Sequence, residues 1–335
     1  MKKILAGTVL AGTAAVAQAQ TQVTLYGIVD AGYMYDKTDS QSGIHGIQSG
    51  NHTQSRFGLR GTEDLGNGLQ AFFNLENRFT TDNGSWFGGR LFQGGSYVGL
   101  SSKAWGELRL GRFMGTAFTW ASFAGSPFGL GYSRSTLGTA FAYNDPEFGF
   151  GFPTNAVYYY TPTMSGFQAS LGYSFSLADN EAPGSDNNNR MVEAGMRYSR
   201  GGLRTVVTYQ HVQSAAPLTR NPQNLTVAAA YDFGPVVVHA AYGRLRNSSG
   251  TLYGVTNDNA YSLGASARVG AAGSVLAGYQ KATGSKVDNV AVGYVHALSK
   301  RTTLYGFFNT GDTSAGPVAA RKGQKQVSLG IRHAF

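Results

Sequence analysis

The feature that most constrains the fold is a period of two in side-chain polarity, which recurs from residue 23 to the final residue in segments of about ten residues. Such alternation indicates strands with one apolar and one polar face. The connections alternate too: short turns such as 65–68 and 299–300 follow one end of the strands, and long loops rich in Gly, Asn, Ser and Asp follow the other. Together these patterns predict an all-β chain of antiparallel strands.

Sixteen strands are predicted, an even number. They are 23–36, 54–64, 69–79, 95–102, 106–113, 155–162, 166–176, 190–199, 203–213, 223–233, 235–246, 258–270, 274–283, 286–298, 301–310 and 324–335. Short turns on one side and long loops on the other are typical of a transmembrane β-barrel of the bacterial outer membrane. Because unpaired backbone groups are costly in lipid, the barrel must close, and the last strand is predicted to pair with the first.

The first residues predict export. Lys2 and Lys3 precede a short apolar stretch and the small-residue site Ala17-Gln18-Ala19, as in a secretory signal peptide. We expect residues 1–19 to be removed, which leaves 20–335 as a single barrel domain. The chain has no cysteine, so its fold is expected to hold without disulfides.

The composition favours a lipid-facing barrel over a secreted soluble β-sandwich. Charged residues make up 13% of the chain, about half the usual share, while there are 47 glycines, 19 tyrosines and 20 phenylalanines. A soluble sandwich would need more charge on its outer faces. No run of about 18 apolar residues follows the first segment, so no transmembrane helix is predicted. Ring-bearing strand ends are expected to form interfacial girdles; the candidates are Tyr33, Tyr35, Tyr158, Tyr160, Tyr209, Tyr231 and Phe233.

Strand parity assigns the inner face. With Phe57 and Leu59 toward lipid, Arg56 and Arg60 face the lumen, and the same parity in the next strand turns polar side chains inward, since an arginine in lipid costs a few kcal/mol. The candidate lumen residues are Arg56, Arg60, Arg78, Tyr26, Asp30 and Glu76. Arg112 joins them only if Gly111 forms a bulge, because strict alternation places it opposite Arg109.

One connection, about 40 residues from Met114, is much longer than the others and carries ten aromatic rings. Loops of this length are usually functional, and burial of the rings predicts that this third long loop folds into the lumen and narrows it. Its charged residues Arg134, Asp145 and Glu147 would then lie opposite the arginines of the wall. Charged groups that face each other across a narrow passage select ions, and the excess of arginine favours anions.

The sequence offers no support for an enzyme, a metal site or a cofactor site. The histidines are scattered and form no metal-ligand spacing, and no nucleophile motif or phosphate-binding glycine loop is present. The arginines are distributed among the strands, which does not fit a nucleic-acid surface. We therefore expect no catalytic residue, no cofactor and no nucleic-acid partner.

Several stretches carry a family resemblance: VTLYGIVDAGYMYD, SRFGLRGTEDLGNGLQAFFNLENRF, GELRLGRF, PEFG and the final Phe335. With these motifs the chain resembles the general porins of Gram-negative bacteria, of the β-proteobacterial type that includes neisserial and Comamonas porins. The resemblance implies a homotrimer in the outer membrane, in contact with lipid and lipopolysaccharide, through which small hydrophilic solutes and inorganic ions diffuse. A barrel that acts as a solute-specific channel, or as an adhesin or receptor, is the alternative.

The resemblance also implies residue roles. Arg56, Arg78 and Arg112 match arginines on the basic side of the family's constriction, and Glu147 matches the acid of its third loop. Phe335 matches the terminal aromatic recognised by the barrel assembly machinery. The chain departs from the family at FGFPTNAVYYY, where relatives often carry an arginine. Either this charge is missing, or Arg134 supplies it.

Overall fold

The computed structural model describes residues 22–129, 151–177, 181–215, 220–248, 255–313 and 321–335. The predicted signal peptide lies outside these ranges. The described strands are β1 Gln22–Lys37, β2 Ile44–Ser49, β3 Arg56–Gly66, β4 Leu69–Arg78, β5 Gly95–Ser102, β6 Gly106–Arg112, β7 Ala156–Tyr160, β8 Phe167–Ser174, β9 Arg190–Arg200, β10 Leu203–Gln213, β11 Gln223–Asp232, β12 Val236–Arg246, β13 Asp258–Val269, β14 Gly273–Ala282, β15 Val287–Ala297, β16 Thr302–Thr313 and β17 Arg321–Ala334.

The strands form one closed antiparallel barrel. Each strand from β3 to β17 pairs with the next along the chain, and β1 pairs with β17 on one side and with β3 on the other. The predicted partner of the last strand is therefore confirmed: Ile28 lies opposite Ala334, and Tyr33 lies opposite Leu329. Closure leaves no open strand edge in the spanning region, as the absence of water in lipid requires.

The barrel has the predicted sixteen positions, although seventeen strands are present. The reason is that β2 and β3 follow each other along the same side of β1 and share one position. Residues 37–53 were predicted to be a loop. This is wrong for Ile44–Ser49, which pairs with residues 31–36 in the second half of β1. The stretch IHGIQS is short and contains a glycine, so its own sequence pattern only weakly indicates a strand. It forms a strand because β1 offers it a partner.

Residues 50–55 leave the ladder between β2 and β3 and fold inward; we call them the inward bulge. Asp30 of β1 holds this bulge, because one carboxylate oxygen accepts the backbone N–H groups of His52 (3.2 Å) and Thr53 (2.7 Å). The other oxygen accepts the hydroxyl of Tyr305 at 2.6 Å. The ring of His52 packs edge-on against Tyr305 and Phe307 of β16. The bulge thus joins β1 to β16 inside the barrel.

The predicted lipid-facing and lumen-facing sides are confirmed in β1, β3 and β17. Leu25 and Leu59, which are register partners, are 60% and 43% exposed on the outer surface, while Tyr26, the next residue of β1, points inward. In β17, Leu329 and Ile331 are exposed, and the alternate residues of this strand face the lumen. Side chains of opposite polarity therefore lie on the two faces of the wall, as a lipid exterior and a polar interior require.

The girdle prediction is wrong for Tyr158 and Tyr160. Both rings are buried inside the barrel, and Tyr159 is the exposed member of the run. Three consecutive tyrosines carry no alternation in polarity, so their sequence could not indicate which face each one occupies. Tyr33, Tyr209, Tyr231 and Phe233 do lie exposed on the outside.

The third long loop is helical where it begins. A π-helical turn, Ala117–Ala121, continues as the α-helical turn Ser122–Gly125, and we call the two together the loop helix. Short 3-10 turns occur at Phe87–Gly89 and Ser185–Asn187. Within the described ranges every helical segment is too short and insufficiently apolar to cross a membrane.

Candidate functional site

The loop helix lies inside the barrel, as predicted, and a buried carboxylate fixes its first turn. Glu193 of β9 is fully buried and accepts the backbone N–H groups of Thr116 (3.1 Å) and Ala117 (2.6 Å). The oxygen that accepts the Thr116 N–H, Oε2, also accepts the hydroxyl of Tyr158. Negative charge is favourable at a helix start because the first N–H groups have no partner within the helix. Glu193 thus anchors the loop to the wall.

Close approach at this anchor requires a glycine. A Cβ atom at Gly195 would lie 2.6 Å from Cγ2 of Thr116 and 2.9 Å from the hydroxyl oxygen of Ser170. Ser170 in turn lies within hydrogen-bond distance, 3.0 Å, of the Thr116 hydroxyl. Any side chain at Gly195 would push the start of the loop helix away from the wall.

Small apolar side chains form the wall beneath the loop helix. Ala117, Phe118, Ala121 and Ala124 of the loop pack on a buried set of inner-face residues, namely Val206, Ala228, Ala260, Ala282 and Val287. The inner faces of barrels that form water-filled channels are usually polar, so apolar inward positions indicate a part of the wall that another segment covers. In the sequence, the signal for this covered region consists of small apolar residues at inward positions, such as Ala228 in TVAAAYD, Ala260 in β13 and Ala282 in β14.

Polar contacts hold the far end of the loop helix. The carbonyl oxygen of Ala124 lies 3.1 Å from Nδ1 of His239, and that of Gly125 accepts the hydroxyl of Ser262 at 3.1 Å. Phe128, just beyond, packs edge-on against Phe307 of β16, with ring centroids 6.0 Å apart. The loop therefore spans the lumen from β6, across β10 to β13, to the region of the inward bulge.

A basic cluster lies on the opposite wall, where β3 and β4 meet. Arg56 and Arg78 are direct register partners, and Glu76 lies between their guanidinium groups, 3.6 Å from Arg56 and 3.3 Å from Arg78. The hydroxyl of Tyr26 donates to the same carboxylate at 3.1 Å. Like charges directly opposite in a sheet repel, so Glu76 stabilises the pair and reduces its net charge to about +1.

Arg78 also contacts the loop. Its Nη2 lies 3.3 Å from Sδ of Met114, and its guanidinium lies 4.9 Å from the ring centre of Phe152. Arg112 stands over the same ring at 5.4 Å and donates to the carbonyl oxygen of Phe152 at 3.0 Å. The two arginines thus clamp the returning end of the loop against the wall.

Arg112 takes this position through Gly111, which has a φ of 134°. This value lies in a region that L side chains rarely adopt, and it interrupts the strict alternation of β6. Arg109 and Arg112 both contact inward-facing groups. The predicted bulge at Gly111 is nevertheless wrong, because the pairing of β5 with β6 continues through Gly111 without a register shift. Arg60 also points inward, where its guanidinium stands 5.2 Å from the ring centre of Tyr26.

Other predicted site residues do not line the pore in the described structure. Asp30 faces inward, but the bulge covers it and it is fully buried. Arg134, Asp145 and Glu147 lie outside the described residues, so their predicted positions across the gap stay predictions.

The structure adds four arginines to those predicted. Arg109 stands over the rings of Tyr97 and Tyr160 and pairs with Glu107, and Arg197 stands 4.5 Å over Trp120 of the loop helix. Arg204 and Arg332 line the cavity beside the loop. Their inward parity in β9, β10 and β17 was a usable signal, but parity alone does not show proximity to the loop.

Positive charge dominates the narrowed lumen. Among the described residues, six arginines line its cavities, Arg56, Arg60, Arg109, Arg197, Arg204 and Arg332, against two glutamates, Glu76 and Glu107. Fixed charges along a narrow aqueous passage attract ions of opposite sign and repel those of the same sign. No group of three or more His, Asp or Glu side chains in the described ranges is arranged to hold a metal ion.

The final residue closes the barrel seam. The backbone of Phe335 exchanges two hydrogen bonds with Gly27 of β1, at 3.0 and 3.1 Å, and its ring is exposed on the outside. This position suits an interfacial aromatic. Its predicted role in assembly stays a prediction.

Comparison with known proteins gives concordant matches. The family described as Gram-negative porin matches residues 6–316. The chain is 34% identical to an outer membrane porin protein of Bordetella pertussis and 35% identical to outer membrane porin protein 32 of Delftia acidovorans, over 100% of both chains in each case. The anion-selective porin from Comamonas acidovorans superposes with a TM-score of 0.78 at 29% identity, over 94% of this chain and 100% of that one.

Proposed function

This chain belongs to the Gram-negative porin family and forms a channel in the outer membrane, and we propose that its pore conducts small anions in preference to cations. The observation that carries the proposal is the excess of six arginines over two glutamates among the described residues that line the narrowed lumen. The anion selectivity of the Comamonas porin, a similar structure, supports the same sign.

Within this proposal the residues have distinct roles. Arg56 supplies charge at the surface of the gap, partly offset by Glu76. Arg78 and Arg112 mainly hold the loop through Met114 and Phe152. Arg204 forms no ion pair with a carboxylate in the described ranges, so its charge is available to passing ions. Arg332 lies opposite Asp30 in register, and this buried carboxylate offsets part of its charge.

The reversal potential in a KCl gradient tests the sign of the selectivity. Purified protein is inserted into a planar bilayer with different KCl concentrations on the two sides, and the polarity of the zero-current potential identifies the favoured ion. We expect chloride to be favoured. A zero-current potential of the polarity given by potassium selectivity would refute the proposal.

Charge reversal at one arginine tests whether the positive charge of the lumen determines the selectivity. Arg56→Glu changes the lumen charge by two units, which at about 10 Å in water changes an ion's energy by about 0.8 kcal/mol before screening. With screening, we expect the chloride-to-potassium permeability ratio to fall by about twofold. Arg200→Glu, at the exposed last residue of β9, is the matched control and should leave the ratio unchanged.

The assembly is also proposed rather than shown. We propose a homotrimer, with part of the exposed apolar wall as the contact between copies, surrounded by outer-membrane lipid and lipopolysaccharide. Light scattering of the detergent-purified protein measures the number of copies directly. A monomer at all concentrations would contradict the homotrimer without affecting the channel. No enzymatic step is part of the proposal.

A further inference from the structure

The lumen contains an apolar ring that faces water. Phe123 lies on the loop helix and is 54% exposed, whereas its neighbours Ala121 and Ala124 are buried against the wall. Phe123 lines three of the cavities around the loop. Its helical position places it on the side away from the wall, since positions 117, 121 and 124 share the covered face. An exposed ring that lines the cavities beside the loop suits contact with a solute better than it suits packing.

The other aromatic rings near this gap already have partners. Phe152 lies under Arg78 and Arg112, Trp120 lies under Arg197, and Phe128 packs on Phe307. Phe123 makes no ring stacking or cation contact with the residues that the structure describes. One edge of the ring lies beside Gly129, and no described aromatic ring or guanidinium group covers its face.

Three arginines line a cavity that this ring also lines. The cavity has a volume of about 590 Å³, and Phe123, Met114 and Phe128 line its loop side. Its other walls carry the side chains of Arg56, Arg204 and Arg332. The volume lies within the range of small-molecule sites. One cavity thus offers an open aromatic face together with guanidinium groups that bind carboxylates.

We propose that this cavity is a subsite for aromatic carboxylates, in which Phe123 contacts the ring of the solute while Arg204 and Arg332 bind its carboxylate. The inference rests on the proposed preference for anions and adds a solute class to it. An aromatic ring packs on a phenylalanine face better than a saturated ring of the same size, because edge and face carry opposite partial charge. Phe123 is then a residue that determines specificity among anions.

The test uses two acids of equal charge and similar size, benzoate and cyclohexanecarboxylate, as blockers of chloride current through single channels. We expect the half-blocking concentration of benzoate to be about threefold lower, the size of effect that a favourable aromatic pair gives. In Phe123→Leu the two values should become equal. Phe233→Leu, an exposed ring on the outer wall, is the matched control and should keep the threefold ratio.

A second variant tests the carboxylate contact. Arg204→Gln should raise the half-blocking concentrations of both acids and leave their ratio near threefold. Equal potency of the two acids in the unmodified protein, or an unchanged ratio in Phe123→Leu, would overturn the subsite. The KCl reversal potential separates the two ideas: chloride selectivity with equal potency refutes only the subsite, and potassium selectivity refutes the proposed function as well.

Discussion

The anchor of the third long loop allows one sharp prediction, from the substitution Glu193→Ala. The change removes the acceptor of three buried donors: the N–H groups of Thr116 and Ala117 and the hydroxyl of Tyr158. A buried donor left without a partner costs about 1–3 kcal/mol. Taking the lowest value for each donor, the docked loop is destabilised by about 3 kcal/mol.

This energy translates into loop detachment. About 1.4 kcal/mol corresponds to a factor of ten, so the ratio of detached to docked loop rises by about two orders of magnitude. Wall packing by Ala117 and Phe118 and the contacts at His239 and Ser262 are retained, so the barrel is expected to stay folded. The strand ladder does not involve the Glu193 side chain.

Single-channel recording detects the detached state as steps between conductance levels and as increased current noise. We expect frequent steps for Glu193→Ala, and fewer for Glu193→Gln, which keeps one acceptor oxygen but loses the charge. Glu63→Ala removes an exposed carboxylate in β3 and serves as the control. Quiet traces with a single, unmodified level in Glu193→Ala would refute the role of Glu193 as the anchor.

Three further outcomes follow from the same structure. Gly195→Val places side-chain atoms where Thr116 packs and should give the same unstable conductance as Glu193→Ala; a quiet channel would show that the loop start can shift without cost. Raising the salt concentration from 0.1 to 1 M shortens the Debye length from about 10 to about 3 Å, so the anion preference should weaken in reversal-potential measurements. A constant chloride-to-potassium permeability ratio would show that the selectivity does not depend on charge. Deleting Phe335 should reduce the amount of assembled protein in outer-membrane fractions, and an unchanged amount would remove its proposed role in assembly.

Much of the fold could be predicted because a barrel wall repeats one rule. Leu25, Leu59 and Leu329 face outward by parity, and the closing pair of first and last strands follows from the cost of an open edge in lipid. The rule fails where polarity does not alternate, as in the run of tyrosines that contains Tyr158. It also fails for β2, whose pairing depends on β1.

The site was less predictable, because it depends on contacts between distant segments. Parity indicated that Arg56 and Arg78 face inward, but not that Glu76 lies between them. In the sequence, Glu193 is an inward-facing carboxylate like any other in the lumen. Only the position of the loop helix, whose first N–H groups bind Glu193, makes it the anchor of the loop. Asp30 was expected to line the pore and instead holds a bulge that the alternation of its strand could not indicate.

The sequence by itself determined the wall: the number of strand positions around the barrel, their order, their two faces and the inward excess of arginine. A period of two and the need to satisfy every backbone group in lipid are local constraints, so they can be read along the chain. Only the tertiary structure decided how the lumen is filled. The path of the loop, the anchor at Glu193 and the open face of Phe123 arise from contacts between residues about 70 to 140 positions apart, which no periodicity records.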